Sequence, residues 1–184
     1  KAIQSDNKEE IDFWLNNYFD SVTGLAYYNN ELIVIPKSDL LLNITPESKL
    51  SSGSLELSKE QFDDLSKEYK VIKRSEIKYD NLLTKKEAKQ HPIWVELAQD
   101  DKKILEDYTD SVFELGKFNN AMGVYIPDDQ ENPALRAWYL RGFRSLSGRS
   151  GVSARSSLDY DARLFGVRAT KNFSSENLEE TISN

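Results

Sequence analysis

Guanidinium groups crowd the end of this chain. Seven arginines (Arg136, Arg141, Arg144, Arg149, Arg155, Arg163 and Arg168) fall between positions 134 and 170, with no lysine there and only Asp159 and Asp161 to oppose them. Before position 134 the sole arginine is Arg74, and lysine supplies the other cations of a 184-residue chain whose net charge is -7. Lysine is the ordinary solvating cation, whereas arginine offers a rigid planar fork that pairs with carboxylates and stacks on rings. Serine, tyrosine and glycine are interleaved with these arginines. That mixture suits recognition: tyrosine and arginine supply contact area and charge, while serine and glycine adapt. A solvated arginine-rich hairpin without a ligand would have the same composition, and the sequence leaves both readings open.

Catalytic chemistry has less to work with. There is no cysteine, which removes disulfides, thiolate metal sites and cysteine nucleophiles together. His91 is the one histidine, so a serine–histidine–acid triad would depend on it, and a multi-histidine metal site cannot form within one chain. Followed by Pro92, His91 reads as a junction between two helices. Asp128, Asp129, Glu131 and Asn132 carry the hard oxygens that calcium takes, yet they lack the spacing and the glycine of an EF-hand and read better as a solvated turn. Asp159 and Asp161 would share one side of a strand, as acid–base carboxylates can. Among so many cations, pairing with Arg155 or Arg163 is the better account. The pieces Arg141-Gly142-Phe143-Arg144 and Gly148-Arg149-Ser150-Gly151 combine cations, a ring and glycines as single-strand RNA binders do. Their flanks, Trp138 and Leu140 before and Leu164-Phe165 after, are those of strands instead. None of these pieces ends in the Gly-Lys-Ser/Thr of a phosphate loop. No catalytic constellation emerges, and no cofactor or metal is implied.

The elements that must position these groups can be read from spacing. Asp6 caps a helix to about Tyr18, with Ile11, Trp14, Leu15, Tyr18 and Phe19 on one stripe. Tyr28-Asn29-Asn30 predicts a turn, followed by a buried strand at Leu32-Ile33-Val34-Ile35 that Pro36 closes. Residues 51–54 are a loop. Ser58 with Gln61 makes a capping box for a helix to about Tyr69 that buries Phe62 and Leu65, and a short strand follows at 71–73. Thr84 with Glu87 makes a second box, and Pro92 opens the next short helix. Asp100 caps the longest helix, 101–115, whose inner face is Ile104, Leu105, Tyr108, Val112 and Leu115; Gly116 stops it. The period then becomes two. A strand at 122–126 is followed by a longer one at 135–143, with Leu135, Ala137, Tyr139, Arg141 and Phe143 on one face and Arg136, Trp138 and Leu140 on the other. Residues 145–157 predict loops or short exposed strands, and 164–167 a closing strand. No apolar run approaches the roughly 18 residues of a membrane span.

This order of elements resembles the C-type lectin fold in its compact variant, which is related to formylglycine-generating enzymes. The residues that carry the resemblance are Arg136-Ala137-Trp138-Tyr139-Leu140 and Ala162-Arg163-Leu164-Phe165-Gly166-Val167-Arg168, within residues 92–169. The implied fold is α+β, with helices packed on a twisted antiparallel sheet and long exposed loops. Residues 1–170 would form one domain, with a helix and strand portion over 1–80 and the helix plus ligand-binding sheet over 92–169. An acidic tail would occupy 171–184. Variable proteins of diversity-generating retroelements, found in phages, bacteria and archaeal viruses, use this fold and vary a segment near its C-terminus. Adenine-directed mutagenesis there yields mainly Ser, Arg, Tyr, Asp and Gly, the bias seen from Tyr139 to Asp161. The resemblance implies ligand contacts from Tyr139, Arg141, Phe143, Arg144, Ser147, Arg149, Ser153, Arg155, Tyr160 and Asp161, with Trp138, Leu164 and Phe165 as internal framework.

Two family chemistries do not carry over. Glu131-Asn132-Pro133 reverses the order of the sugar motif of calcium-dependent lectins, and the oxidase chemistry requires cysteines. The expected function is therefore non-catalytic binding of a protein or other macromolecular ligand, acidic by charge, on a surface-exposed or virion-associated chain. Nucleic-acid binding by the Arg/Gly/aromatic segment, or a virion or surface structural subunit, is the alternative; without the resemblance a cytoplasmic location is expected. Oligomeric state is not legible.

Overall fold

The computed structural model describes residues 9, 18–141, 150–155, 157 and 158. The body of the helix expected after Asp6, the closing strand at 164–167 and the acidic tail lie outside them. In chain order the elements are β1 (Tyr18–Tyr28), β2 (Glu31–Ile35), α1 (Asp39–Leu42), β3 (Leu50–Ser51), β4 (Ser54–Glu56), α2 (Lys59–Glu68), β5 (Val71–Lys73), β6 (Asn81–Thr84), α3 (Lys85–Gln90), α4 (Pro92–Leu97), α5 (Lys102–Gly116), β7 (Asn120–Tyr125), β8 (Ala134–Arg141) and β9 (Gly151–Ser153).

One sheet joins them in the order β5-β2-β1-β8-β9-β7-β6, with the β3–β4 hairpin attached through β4 to the start of β8. The sheet is mixed, because β7 and β9 run parallel while the other described pairings are antiparallel. The expected antiparallel sheet is present, with the β7–β9 pair as its parallel exception among the described residues. The two sides of β2 explain its unbroken apolar run: Leu32 and Val34 enter one core, Ile33 and Ile35 the other. A strand covered on both faces has no polar side to alternate with. The first core packs Leu25, Tyr27, Trp138 and Val152 against α3, α4 and α5 through Ala88, Trp94, Leu105 and Val112. The second sets Ala26, Leu135 and Ala137 against Leu41 of α1 and Phe62 of α2.

The punctuation signals hold. Asn29 and Asn30 take left-handed backbone (φ 49° and 66°), the conformation a two-residue hairpin turn requires. Both capping boxes are present, Ser58 with Gln61 and Thr84 with Glu87, and Pro92 begins α4.

Other elements differ from expectation for identifiable reasons. β1 is an eleven-residue strand in the middle of the sheet, and Tyr18 opens it rather than ending a helix. Its pairing with β8 slips between Asp20 and Gly24, and such a bulge erases the period-two signal. Asp101, not Asp100, caps α5, and Lys117 in the left-handed region ends it, one residue beyond Gly116. Ile104 was expected inside but stands 60% exposed, while Leu105 and Val112 are buried. The helix turns its inner stripe toward Leu105 and away from its neighbour. β9 was expected as loop or exposed strand, yet Gly151, Val152 and Ser153 are all buried. Its place between β7 and β8 covers it, and three residues are too few to show a pattern.

Candidate ligand-binding surface

The arginine-rich segment is held by its two ends. β8 runs to Arg141 and β9 begins at Gly151, and these two residues are direct partners across the antiparallel pair, followed by Leu140 with Val152 and Tyr139 with Ser153. β8 therefore ends and β9 begins at the same end of the sheet. The return is fastened on both sides. Ser150, 2% exposed, accepts a hydrogen bond from Gly123 N on its carbonyl (3.0 Å), and its hydroxyl shares one of 2.6 Å with the Tyr108 hydroxyl from α5. Burial pushes the Tyr108 phenol up to about 12 despite that bond, so it stays neutral and can serve as a fixed hydroxyl. Ala154 N then donates to Tyr125 O (2.9 Å).

The expected contact residues divide into three groups. Phe143, Arg144, Ser147, Arg149, Tyr160 and Asp161 lie outside the described residues, and so does the side chain of Arg141, whose backbone closes β8. Tyr139 and Ser153 are only 8% and 2% exposed. Opposite one another within the sheet, they belong to its packed framework in this chain, because alternation on a strand does not tell a wet face from a covered one. Arg155 is exposed but engaged: Nε donates to Ile126 O (2.9 Å) and Nη2 to Asp80 Oδ2 (2.5 Å). Its described acidic partner is Asp80, from the front of the chain; Asp159 and Asp161 lie outside the described residues. Trp138, expected as framework, is 1% exposed; Leu164 and Phe165 are not described.

Next to the fastened ends, an open apolar groove of ≈ 280 Å³ runs between α4–α5 and the strands. Leu97, Ile104, Tyr108, Trp138, Leu140 and Val152 are among its lining. Ser21 Oγ, at its β1 side, donates to Trp138 O (2.7 Å). Trp94 stacks at a tilt on Tyr108 (centroids 5.8 Å apart) and donates its indole N–H to Met122 O (3.1 Å). Met122 reaches that position with φ 53°, at the β6–β7 register shift.

No protein-family model matches the chain, and no curated protein matches it. Among solved structures, a nanoarchaeal protein showing how the C-type lectin fold accommodates massive sequence variation superposes with a TM-score of 0.67, at 14% identity. The match covers 89% of this chain and 80% of that one. The chain has the C-type lectin fold.

Within this lectin fold, several groups that sequence reasoning weighed as sites turn out to be structural joints. His91 Nδ1 accepts from Ile93 N (3.2 Å), which leaves Nε2–H to donate to Lys78 O (2.8 Å). With both nitrogens engaged and burial holding its pKa below 6.5, it is neutral and capped, a junction residue as expected. Asp129 of the 128–132 loop accepts from Asn30 N (2.7 Å) and faces Arg74 (3.6 Å), so it pins this loop to the β1–β2 turn. Among the described residues no three His, Cys, Asp or Glu side chains gather as a metal site would require.

Sequence reasoning missed one cluster. Arg136 spans from β8 to the β3–β4 turn: Nε donates to Ser54 Oγ (2.6 Å), Nη1 to Arg155 O (2.7 Å) and Nη2 to Ser52 O. Ser54 Oγ also bonds the Tyr27 hydroxyl (2.7 Å), whose pKa burial raises. Two of the seven arginines, Arg136 and Arg155, are therefore clamps within the lectin fold. Nothing in their spacing marks them apart from the others; only the buried partners Ser54, Tyr27 and Ile126 do.

Proposed function

We infer that the chain is a non-catalytic ligand-binding protein that presents residues 142–149 to a macromolecular partner. One observation carries this reading: Arg141 and Gly151 are direct partners in the sheet, with Ser150 locked behind them by Tyr108 and Gly123. A segment whose two ends meet on a rigid pair can change its side chains without altering the core that holds it. The segment bears Arg144, Ser147 and Arg149 between glycines, a composition for adaptable contact with an acidic partner. Likeness to a lectin fold that accommodates massive variation in a nanoarchaeal protein supports a variable segment here, as in proteins diversified by a retroelement. Tyr139 and Ser153 are then framework, and the variable contacts concentrate at Phe143, Arg144, Ser147 and Arg149.

The test is a displayed library randomised only at 142–149 and selected against a purified acidic protein. Folded binders should enrich, with unfolding midpoints close to that of the parent chain. A library that yields no folded binders would sink the reading. Natural variants of the same locus supply a second check, since substitutions should gather in 142–149 and spare Trp138, Val152 and Ser150.

A further inference from the structure

We propose that the cleft between α3, α4 and α5 is a small-molecule site that takes an apolar dipeptide with both termini free. The inference does not depend on the display reading. The cleft holds ≈ 320 Å³, at the small end of the roughly 300–1,000 Å³ of small-molecule pockets. Its lining carries both signs of charge: Lys86 comes from α3, Asp100 from the α4–α5 turn, and Lys102 and Glu106 from α5. Val95, Ala98 and Leu105 add an apolar surface.

The fold does not use these charges. Asp101 rather than Asp100 caps α5, through Ile104 N (3.0 Å), which leaves the Asp100 carboxylate exposed at the cleft. Lys102 and Glu106 stand four apart on α5 with the cation first, the weaker order for pairing. Neither they nor Lys86 form an ion pair among the described residues, whereas their neighbours Lys85 and Lys89 both close on Asp110 (2.9 and 2.8 Å). The turn that carries Asp100 is built at a conformational cost. Gln99 and Asp100 both take left-handed backbone (φ 52° and 59°), which a Cβ disfavours, and Asp100 N donates to Val95 O (3.1 Å) to hold the turn in place.

Each feature selects a part of the ligand. Asp100 and Glu106 suit an ammonium group, and Lys86 and Lys102 a carboxylate. An apolar side chain recovers transfer free energy by covering Val95, Ala98 and Leu105. Gln90, also in the lining, makes no side-chain hydrogen bond among the described residues. Its amide offers a peptide link both a donor and an acceptor. Three lysines and three acids line the cleft, so its charges balance, and a zwitterion fits it better than a simple anion or cation.

Nuclear magnetic resonance titration of the full chain with leucyl-leucine, its acetylated and amidated counterpart, and free leucine tests this. Leucyl-leucine should shift the amide signals of Ala98, Lys102 and Leu105 saturably. The blocked peptide should leave them in place, and leucine should bind several-fold more weakly. Asp100→Asn with Glu106→Gln, and separately Lys86→Gln with Lys102→Gln, should each weaken leucyl-leucine several-fold. Both pairs should keep the parent unfolding midpoint, since all four side chains are exposed.

The site is overturned by no saturable shift with leucyl-leucine, by equal shifts with the blocked peptide, or by undiminished affinity in either variant. Leucine binding as tightly as the dipeptide would overturn the assignment of a peptide ligand. The display reading is judged separately, by whether folded binders emerge from the randomised segment.

Discussion

At the residue scale, the arginines that drew attention by composition do different work. Arg155 links the exit of β9 to Ile126 O and to Asp80, and Arg136 links β8 to the β3–β4 turn. Both were legible as arginines in an unusual place, but their roles were not, because a guanidinium clamp is defined by distant carbonyls that no local spacing reveals. Hydrogen bonds to charged groups contribute about 1.5–3 kcal/mol when well shielded. The Arg155 and Asp80 side chains are 45% and 36% exposed, so solvent screening reduces their pair to about 1 kcal/mol. Arg155→Ser should therefore lower stability in urea unfolding by about 1–2 kcal/mol, including the lost bond to Ile126 O. Combined with Asp80→Asn, it should lose less than the sum of the two single changes. Additive losses would mean that the pair does not interact in solution.

At the element scale, caps and turns were the most readable features, and strands at the centre of the sheet the least. Ser58, Thr84 and Pro92 act through neighbours three residues away or fewer, so their chemistry is written locally. β1 and β9 each take one distant partner, β8 more than a hundred residues away and β7 28 residues away in sequence, and a bulge or a three-residue length hides them. His91 belongs to this scale because it joins α3 to α4 through Ile93 N and ties both to Lys78 O. Burial holds its folded pKa below the ordinary 6.5, so as pH falls the unfolded chain takes up this proton first. The stability it provides is present above pH 6.5 and is lost as pH falls through that value toward the folded pKa. Urea midpoints should decline from pH 6.5 to about 5, and His91→Gln should flatten that decline. Glu87, lowered by its capping hydrogen bonds at Thr84, and Asp110, lowered by Lys89 and Lys85, titrate further down. An unchanged slope in the variant would assign the effect to other groups.

At the scale of the whole molecule, a mixed sheet with a core on each face brings Arg141 and Gly151 together as direct partners. The lectin fold was legible from the order of helices and strands and from the Trp138 framework, whereas the parallel β7–β9 pairing was not, since strand direction depends on topology rather than on side-chain period. On the proposed reading the sheet supplies stability, and residues 142–149 supply contacts. The most direct test replaces Phe143, Arg144, Ser147 and Arg149 together by other polar residues and measures the unfolding midpoint in urea. A segment anchored only by its ends predicts a stability within about 0.5 kcal/mol of the parent chain, as for surface changes elsewhere. A loss of several kcal/mol would mean that these side chains pack into the fold, and the account of a replaceable contact surface would be contradicted.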